Sequence, residues 1–245
     1  MKVAIVGGGR SGEAVSTALG SRDIAAQMFS RSTGFDVLKD DAVERFRNFD
    51  VIIEATSLFT LSGKVATDFF TRSTRALAAA ARASNARHIV LSIVNCEKPD
   101  LQGYGYFAGK AAQERVAREE NPSVTIIRST QWFEFAEQNL ERFTFGPFAL
   151  IPAMKIQPVA LDTVAEVIAD SVTGERPGTS YDVAGTEVTT LWDMTESVRR
   201  TSVVQVPLPM PGATWRAFRN GGLLPSSEVE RLGPSFPEWL ASRTR

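Results

Sequence analysis

The sequence predicts an α/β fold, a doubly wound parallel sheet carrying a small irregular C-terminal lobe. Three observations carry that expectation. Through the first half of the chain, short runs of β-branched residues alternate with longer helical stretches. A glycine-rich turn follows the first of these runs, and after about residue 130 the alternation gives way to an aromatic, proline-containing stretch. Strand–helix alternation favours a parallel sheet with right-handed crossovers.

The elements follow in order. Residues 3–6, 24–29, 51–55, 89–94 and 124–127 read as buried strands, because each is short, apolar and bounded by polar or turn residues. Residues 12–19, 64–87 and 106–120 read as the intervening helices, and residues 35–38 suggest a short edge strand. Further on, residues 162–171 read as a helix and 181–184 as a strand. The expected division is therefore a core over residues 1–130, completed by a strand near 181–185, with a substrate lobe over most of 131–245, interleaved with the core. Ligands in such sheets bind beyond the carboxyl ends of the strands, which directs attention to the loops after residues 6, 30, 55, 94 and 128.

Composition narrows the chemistry. The 245 residues carry 27 Lys+Arg against 28 Asp+Glu, a net charge of −1. That balance lacks the basic footprint of a nucleic-acid binder. With 43% hydrophobic and 22% charged residues the chain is ordinary for a globular protein, not a disordered one. The single cysteine, Cys96, excludes a disulfide within the chain, and with one histidine, His88, leaves a His/Cys zinc site short of ligands, so no metal is expected. A Ser-His-Asp triad would have to use His88, which opens an apolar run and reads as a strand residue. Cys96, with no neighbouring base, reads as a passive thiol. No run is long enough to span a membrane, and the apolar start is too short for a signal peptide, so a cytoplasmic protein without membrane or nucleic-acid partners is expected.

Gly7, Gly9 and Gly12 match G-x-G-x-x-G between the first strand and the first helix. In that context glycines permit a tight turn and let backbone approach a pyrophosphate, while the helix start, with Arg10 and Ser11, supplies amides and partial positive charge. An acidic residue about twenty positions on would hold the ribose of NAD. Here the second strand ends in Ser30-Arg31-Ser32, with no carboxylate. Arg31, with Ser30 and Arg10, suits a 2′-phosphate instead, which favours NADP(H) over NAD(H). The other reading of both arginines is as solvated loop cations.

Tyr106 and Lys110 stand four residues apart at the start of a helix, which puts both on one face. An ammonium beside a phenol favours the phenolate, so the spacing predicts a tyrosine with a lowered pKa acting as acid and base.

With the glycine loop, the Ser92-bearing strand, residues 105–110 and residues 126–135, the chain resembles the short-chain dehydrogenase/reductase superfamily, in its atypical branch with NmrA-like NAD(P)-binding Rossmann proteins. The resemblance covers nearly the whole length. It implies Tyr106 as proton donor, Lys110 as its modulator and a ribose ligand, and Ser92 as a carbonyl-orienting hydroxyl. It also implies Asp36 and Val37 against the adenine and Ala55, Thr56 and Ser57 beside the nicotinamide ribose. The loop departs from the superfamily's usual G-x-x-G-x-x-G by one residue. A homodimer stays open, through helices 64–87 and 106–120, which form the dimer face in many relatives.

The expectation that results is an NADP(H)-dependent oxidoreductase acting on a carbonyl or alcohol of a small, apolar substrate. Two alternatives stand beside it: an NmrA-like redox sensor that binds NAD(P) without turnover, and an NAD(P)-dependent epimerase or isomerase. The aromatic residues Trp132, Phe133, Phe135, Phe143, Phe145 and Phe148 divide evenly between pocket lining and core packing.

Overall fold

The computed structural model describes residues 1–199 and 201–243. Its first half runs β1 (Val3–Val6), α1 (Arg10–Gly20), β2 (Ala26–Phe29), α2 (Ala42–Phe46), β3 (Val51–Glu54), α3 (Gly63–Ser84), β4 (Arg87–Ile93), α4 (Gly105–Glu120) and β5 (Thr125–Ser129). There follow α5 (Phe135–Phe143), β6 (Thr144–Phe145), β7 (Phe148–Pro152), β8 (Lys155–Ile156), α6 (Leu161–Thr173), β9 (Ser180–Ala184) and β10 (Thr189–Thr190). The chain closes with α7 (Leu191–Val198), β11 (Val204–Leu208), α8 (Ala213–Arg219), β12 (Glu230–Arg231) and α9 (Phe236–Arg243).

Seven of these strands form one sheet in the order β12-β9-β5-β4-β3-β1-β2, with every neighbouring pair parallel. The chain leaves β1 for β2 on one side and returns to β3 on the other, so a crevice opens beyond the carboxyl ends of β1 and β3. Strand periodicity sets the two faces. Val3, Ile5, Ile53, Ile89 and Leu91 pack with α1 and α6, whereas Ala4, Val6 and Ile52 pack with Phe46 and Leu77 of α2 and α3. Val90 and Ser92 therefore face α3 and α4. These helices approach closely: a Cβ on Gly109 would lie 2.6 Å from the Phe70 ring.

Two local expectations need correction. Residues 35–38 form no strand; Phe35 turns inward, edge-on to Phe29 and Phe46, while the Asp36 carboxylate accepts the Leu38 amide at 3.0 Å and closes a turn. Apolar burial is met there by one ring, and β2 remains the sheet edge. The long helix ends at Ser84, not at residue 87, because Asn85 takes a left-handed conformation (φ 53°) that stops it, and Arg87 opens β4.

The lobe is built from β6–β7–β11, the β8–β10 pair and helices α5, α7, α8 and α9. Phe133, Ile151, Leu191, Phe218 and Trp239 share one apolar cluster with Leu101 and Phe107, which fastens the lobe to α4. The aromatic stripe is accordingly divided: Phe133 is core, while Phe145 and Phe148 are exposed. Among the described residues no helix is long and apolar enough to cross a membrane.

Candidate active site

The glycine turn is shaped by close backbone approach. A Cβ on Gly12 would fall 2.0 Å from the Gly7 carbonyl oxygen, and Gly7 itself sits at φ 136° with its α-carbon against Ala55. Gly9 caps α1 in an extended conformation without a side-chain hydrogen bond, and a Cβ there would meet nothing within 4 Å. Among the described residues the amides of Arg10, Ser11 and Gly12 have no hydrogen-bond partner. Open space in front of three unpaired amides at a helix start is a cradle for a phosphate, so the loop fits a dinucleotide.

The two arginines differ. Arg10 reaches across to α5, 3.3 Å from Glu141 and 4.0 Å from Glu137. Arg31 begins a single 3-10 turn capped by Ser30, and its exposed side chain has no partner among the described residues. Ser30 Oγ lies 2.7 Å from Ser32 Oγ beside the glycine loop. Asp36 and Val37 follow in the turn described above, with Asp36 also 3.6 Å from Lys39.

Tyr106 and Lys110 share a face of α4 but do not bond to one another. The Lys110 Nζ lies 5.9 Å from the centre of the Tyr106 ring and 4.6 Å from that of Phe70. Its three protons have three other acceptors: Gln113 Oε1 at 2.8 Å, the Leu91 carbonyl at 2.9 Å and the Thr56 carbonyl at 3.4 Å. Burial pushes the ammonium down to about 8, against the pull of Glu54, Cys96 and Glu114. The phenol also departs from the spacing argument. Burial raises its pKa above the ordinary value, and a hydrogen bond with the Ser57 side chain offsets only part of that rise. Desolvation dominates, so Tyr106 is held as the neutral phenol.

Ser92 is buried beneath α4, with its hydroxyl 3.9 Å from Cys96 Sγ and in contact with Glu114, and not with Tyr106. Cys96 is enclosed, and burial together with Glu114 and Glu97 raises its thiol pKa. Glu114 is gripped by Arg128 at 2.7 and 2.6 Å. The loop after β3 brings Ala55 and Thr56, both buried, and the exposed Ser57 to the crevice.

Sequence reasoning missed Glu54. The last residue of β3 is fully buried, and its Oε1 accepts from Gln113 Nε2 (2.7 Å), Thr74 Oγ1 (2.8 Å), Thr56 Oγ1 (3.3 Å) and Ser73 Oγ (3.4 Å). Its Oε2 lies 3.3 Å from His88 Nε2, which gives the buried histidine a structural partner. Burial opposes the charged form, but hydrogen bonds, that of His88 foremost, hold the carboxyl below the usual range. The only sequence signal was a carboxylate closing an otherwise apolar strand.

A cavity of about 250 Å³ lies apart from these groups, lined by Phe133, Thr186, Asp193, Met194 and Phe236.

No protein-family model and no curated protein matches the chain. Solved structures do. The chain is similar to a nucleoside-diphosphate-sugar epimerase from Staphylococcus aureus, at 12% identity and TM-score 0.72 over 98% of this chain and 99% of that one. It is similar to the NADPH-dependent quinone oxidoreductase QOR2 of Escherichia coli, complexed with NADPH, at 16% identity and TM-score 0.69 over 99% and 100%. A short-chain dehydrogenase/reductase superfamily protein from Agrobacterium tumefaciens with bound NAD aligns at 14% identity and TM-score 0.66 over 99% and 95%. With its seven parallel strands, glycine-rich turn and appended lobe, the chain shares the Rossmann-like α/β fold of these structures.

Proposed function

We propose that the protein is an NADP(H)-dependent oxidoreductase that reduces a carbonyl group on a small, apolar substrate. One observation carries the reading: a single loop links the glycine turn to the phenol, since Gly7 packs against Ala55 while Ser57 hydrogen-bonds Tyr106. The fold neighbours are consistent with it, since one is an NADPH-dependent quinone oxidoreductase and another holds NAD.

Residues of the chain divide the work. The Arg10, Ser11 and Gly12 amides take a phosphate, Gly7 and Gly9 leave it room, and Asp36 and Val37 flank the adenine. Ser30 and the unpaired Arg31 take the 2′-phosphate, which is the ground for preferring NADP(H). Ala55, Thr56 and Ser57 line the nicotinamide side. When bound, the reduced nicotinamide supplies a hydride. Tyr106 gives its proton to the carbonyl oxygen as that oxygen gains charge, and a phenol kept neutral by burial is ready to do so. Lys110 steadies the phenolate left behind. Its longest hydrogen bond, to the Thr56 carbonyl, is the one a ribose hydroxyl can replace. Ser92, turned to Cys96 and Glu114, orients a substrate only if its hydroxyl rotates.

The test is Tyr106→Phe assayed with NADPH and a panel of carbonyl compounds. Turnover is expected to fall at least ~100-fold, the scale of a lost general acid, with NADPH affinity within about twofold, the precision of the comparison. Unchanged turnover would end the proposal. A second reading, cofactor binding without turnover, draws on the fact that Lys110 is already matched by three acceptors and makes no bond to Tyr106. It predicts tight NADPH binding and no consumption with any carbonyl.

A further inference from the structure

The Glu54 side chain bonds neither the Arg10–Gly12 amides nor the phenol, yet the polar cluster around it is built around the lysine of the site. Gln113 stands between two charges. Its Nε2 donates to Glu54 at 2.7 Å and its Oε1 accepts from Lys110 at 2.8 Å. Carboxylate on one side and ammonium on the other fix the amide's orientation, because the flipped amide would oppose both. Thr56 closes a second path, its hydroxyl donating to Glu54 and its carbonyl accepting from Lys110. The residue beside it, Ser57, hydrogen-bonds the Tyr106 phenol.

We propose that Glu54, acting through the side-chain amide of Gln113, is the positioning residue for Lys110, supplying the counter-charge that keeps the ammonium charged and anchored beside the crevice. The inference rests on the reading of Lys110 as a partner of cofactor and tyrosine. A buried ammonium without an opposite charge sheds its proton. Around Lys110, β3 contributes Glu54 and β4 contributes His88. The turn after β4 contributes Cys96, and α4 contributes Tyr106 and Glu114. From α3 come only the Phe70 ring and the hydroxyls of Ser73 and Thr74, which bond Glu54. Glu114 is already claimed by Arg128 and the thiol is neutral, so Glu54 is the carboxylate available to Lys110.

The experiment follows the Lys110 side chain directly, by ¹³Cε-lysine nuclear magnetic resonance of the full chain, with Lys110→Arg for assignment, alongside the pH profile of NADPH turnover. In the wild type Lys110, pushed down by burial to about 8, is expected to titrate there, with the reductive rate falling as pH rises through that value. Glu54→Gln is expected to lower both midpoints by about one unit, and Gln113→Met to lower them in the same direction by less. Gln113→Met leaves the carboxylate its other four donors and decides the matter should Glu54→Gln fail to fold. Unmoved Lys110 midpoints in the folded variants would overturn the proposal, whatever their effect on stability. A wild type without turnover whose Lys110 midpoint still moves would overturn the catalytic reading and leave this one standing.

Discussion

Two buried carboxylates engage neighbouring positions of α4, Glu54 through Gln113 and Glu114 from the helix itself, and they are held in opposite ways. Glu114 receives a two-pronged grip from Arg128, a third contact from Arg118 at 3.1 Å, and through Arg128 a link to Asp182 on β9. Among the described residues Glu54 touches no arginine. It collects neutral donors and His88, and meets its cation only across the Gln113 amide. A guanidinium cannot titrate in the working range, so the first arrangement is a fixed rivet joining α4, β5 and β9. The ammonium of the second is pushed down by burial to about 8. Direct pairing gives permanence, and pairing through an amide leaves a charge that responds to its surroundings.

The contrast can be broken most sharply at the rivet. Arg128→Met leaves the buried Glu114 carboxylate only the half-exposed Arg118 as a cation and should cost about 3–5 kcal/mol in denaturant unfolding. A loss below 1 kcal/mol would show the two sites to be alike. The next effect is one of pH. The Lys110 value in the folded chain, about 8, lies below lysine's ordinary 10.5, so between these limits the unfolded chain holds a proton that the folded chain has released. Stability from this group therefore rises with pH across that window. Unfolding curves of the wild type and Lys110→Met should diverge in the wild type's favour by about 1 kcal/mol per pH unit, and parallel curves would remove the contrast. The smallest effects concern the cofactor. Arg31→Ala should weaken NADPH about tenfold and NADH hardly at all, as expected of a lost charge-assisted contact, whereas Arg10→Ala, already committed to Glu137 and Glu141, should change NADPH affinity less than about threefold. Fluorescence titration of both cofactors checks the pair.

How much of this was legible in the sequence depended on distance along the chain. The strands declared themselves by local apolar runs, and the cradle by three glycines within six residues. Helix ends and residues 35–38 were misplaced because a single left-handed Asn85 and one inward-turning Phe35 decide them, and neither leaves a periodic trace. The spacing of Tyr106 and Lys110 gave a shared face correctly. It could not reveal that Lys110 turns inward to Leu91, or that burial governs the phenol. Glu54 gathers partners 2, 19, 20, 34 and 59 residues away, so its role exists only once β3, α3, β4 and α4 have assembled.

Helix α5 joins two unlike materials. Ala136 and Leu140 sit in the lobe's apolar cluster, which also holds Phe107 of α4, while outward Arg10 reaches Glu141 and Arg142 lies over the Phe59 ring at 4.5 Å. The first attachment is soldered by burial; the others are latches in open solvent, each worth no more than about 1 kcal/mol. The face of α4 that carries Phe107 is thus backed by a stiff body, and the loops that carry Arg10 and Phe59 are its compliant side.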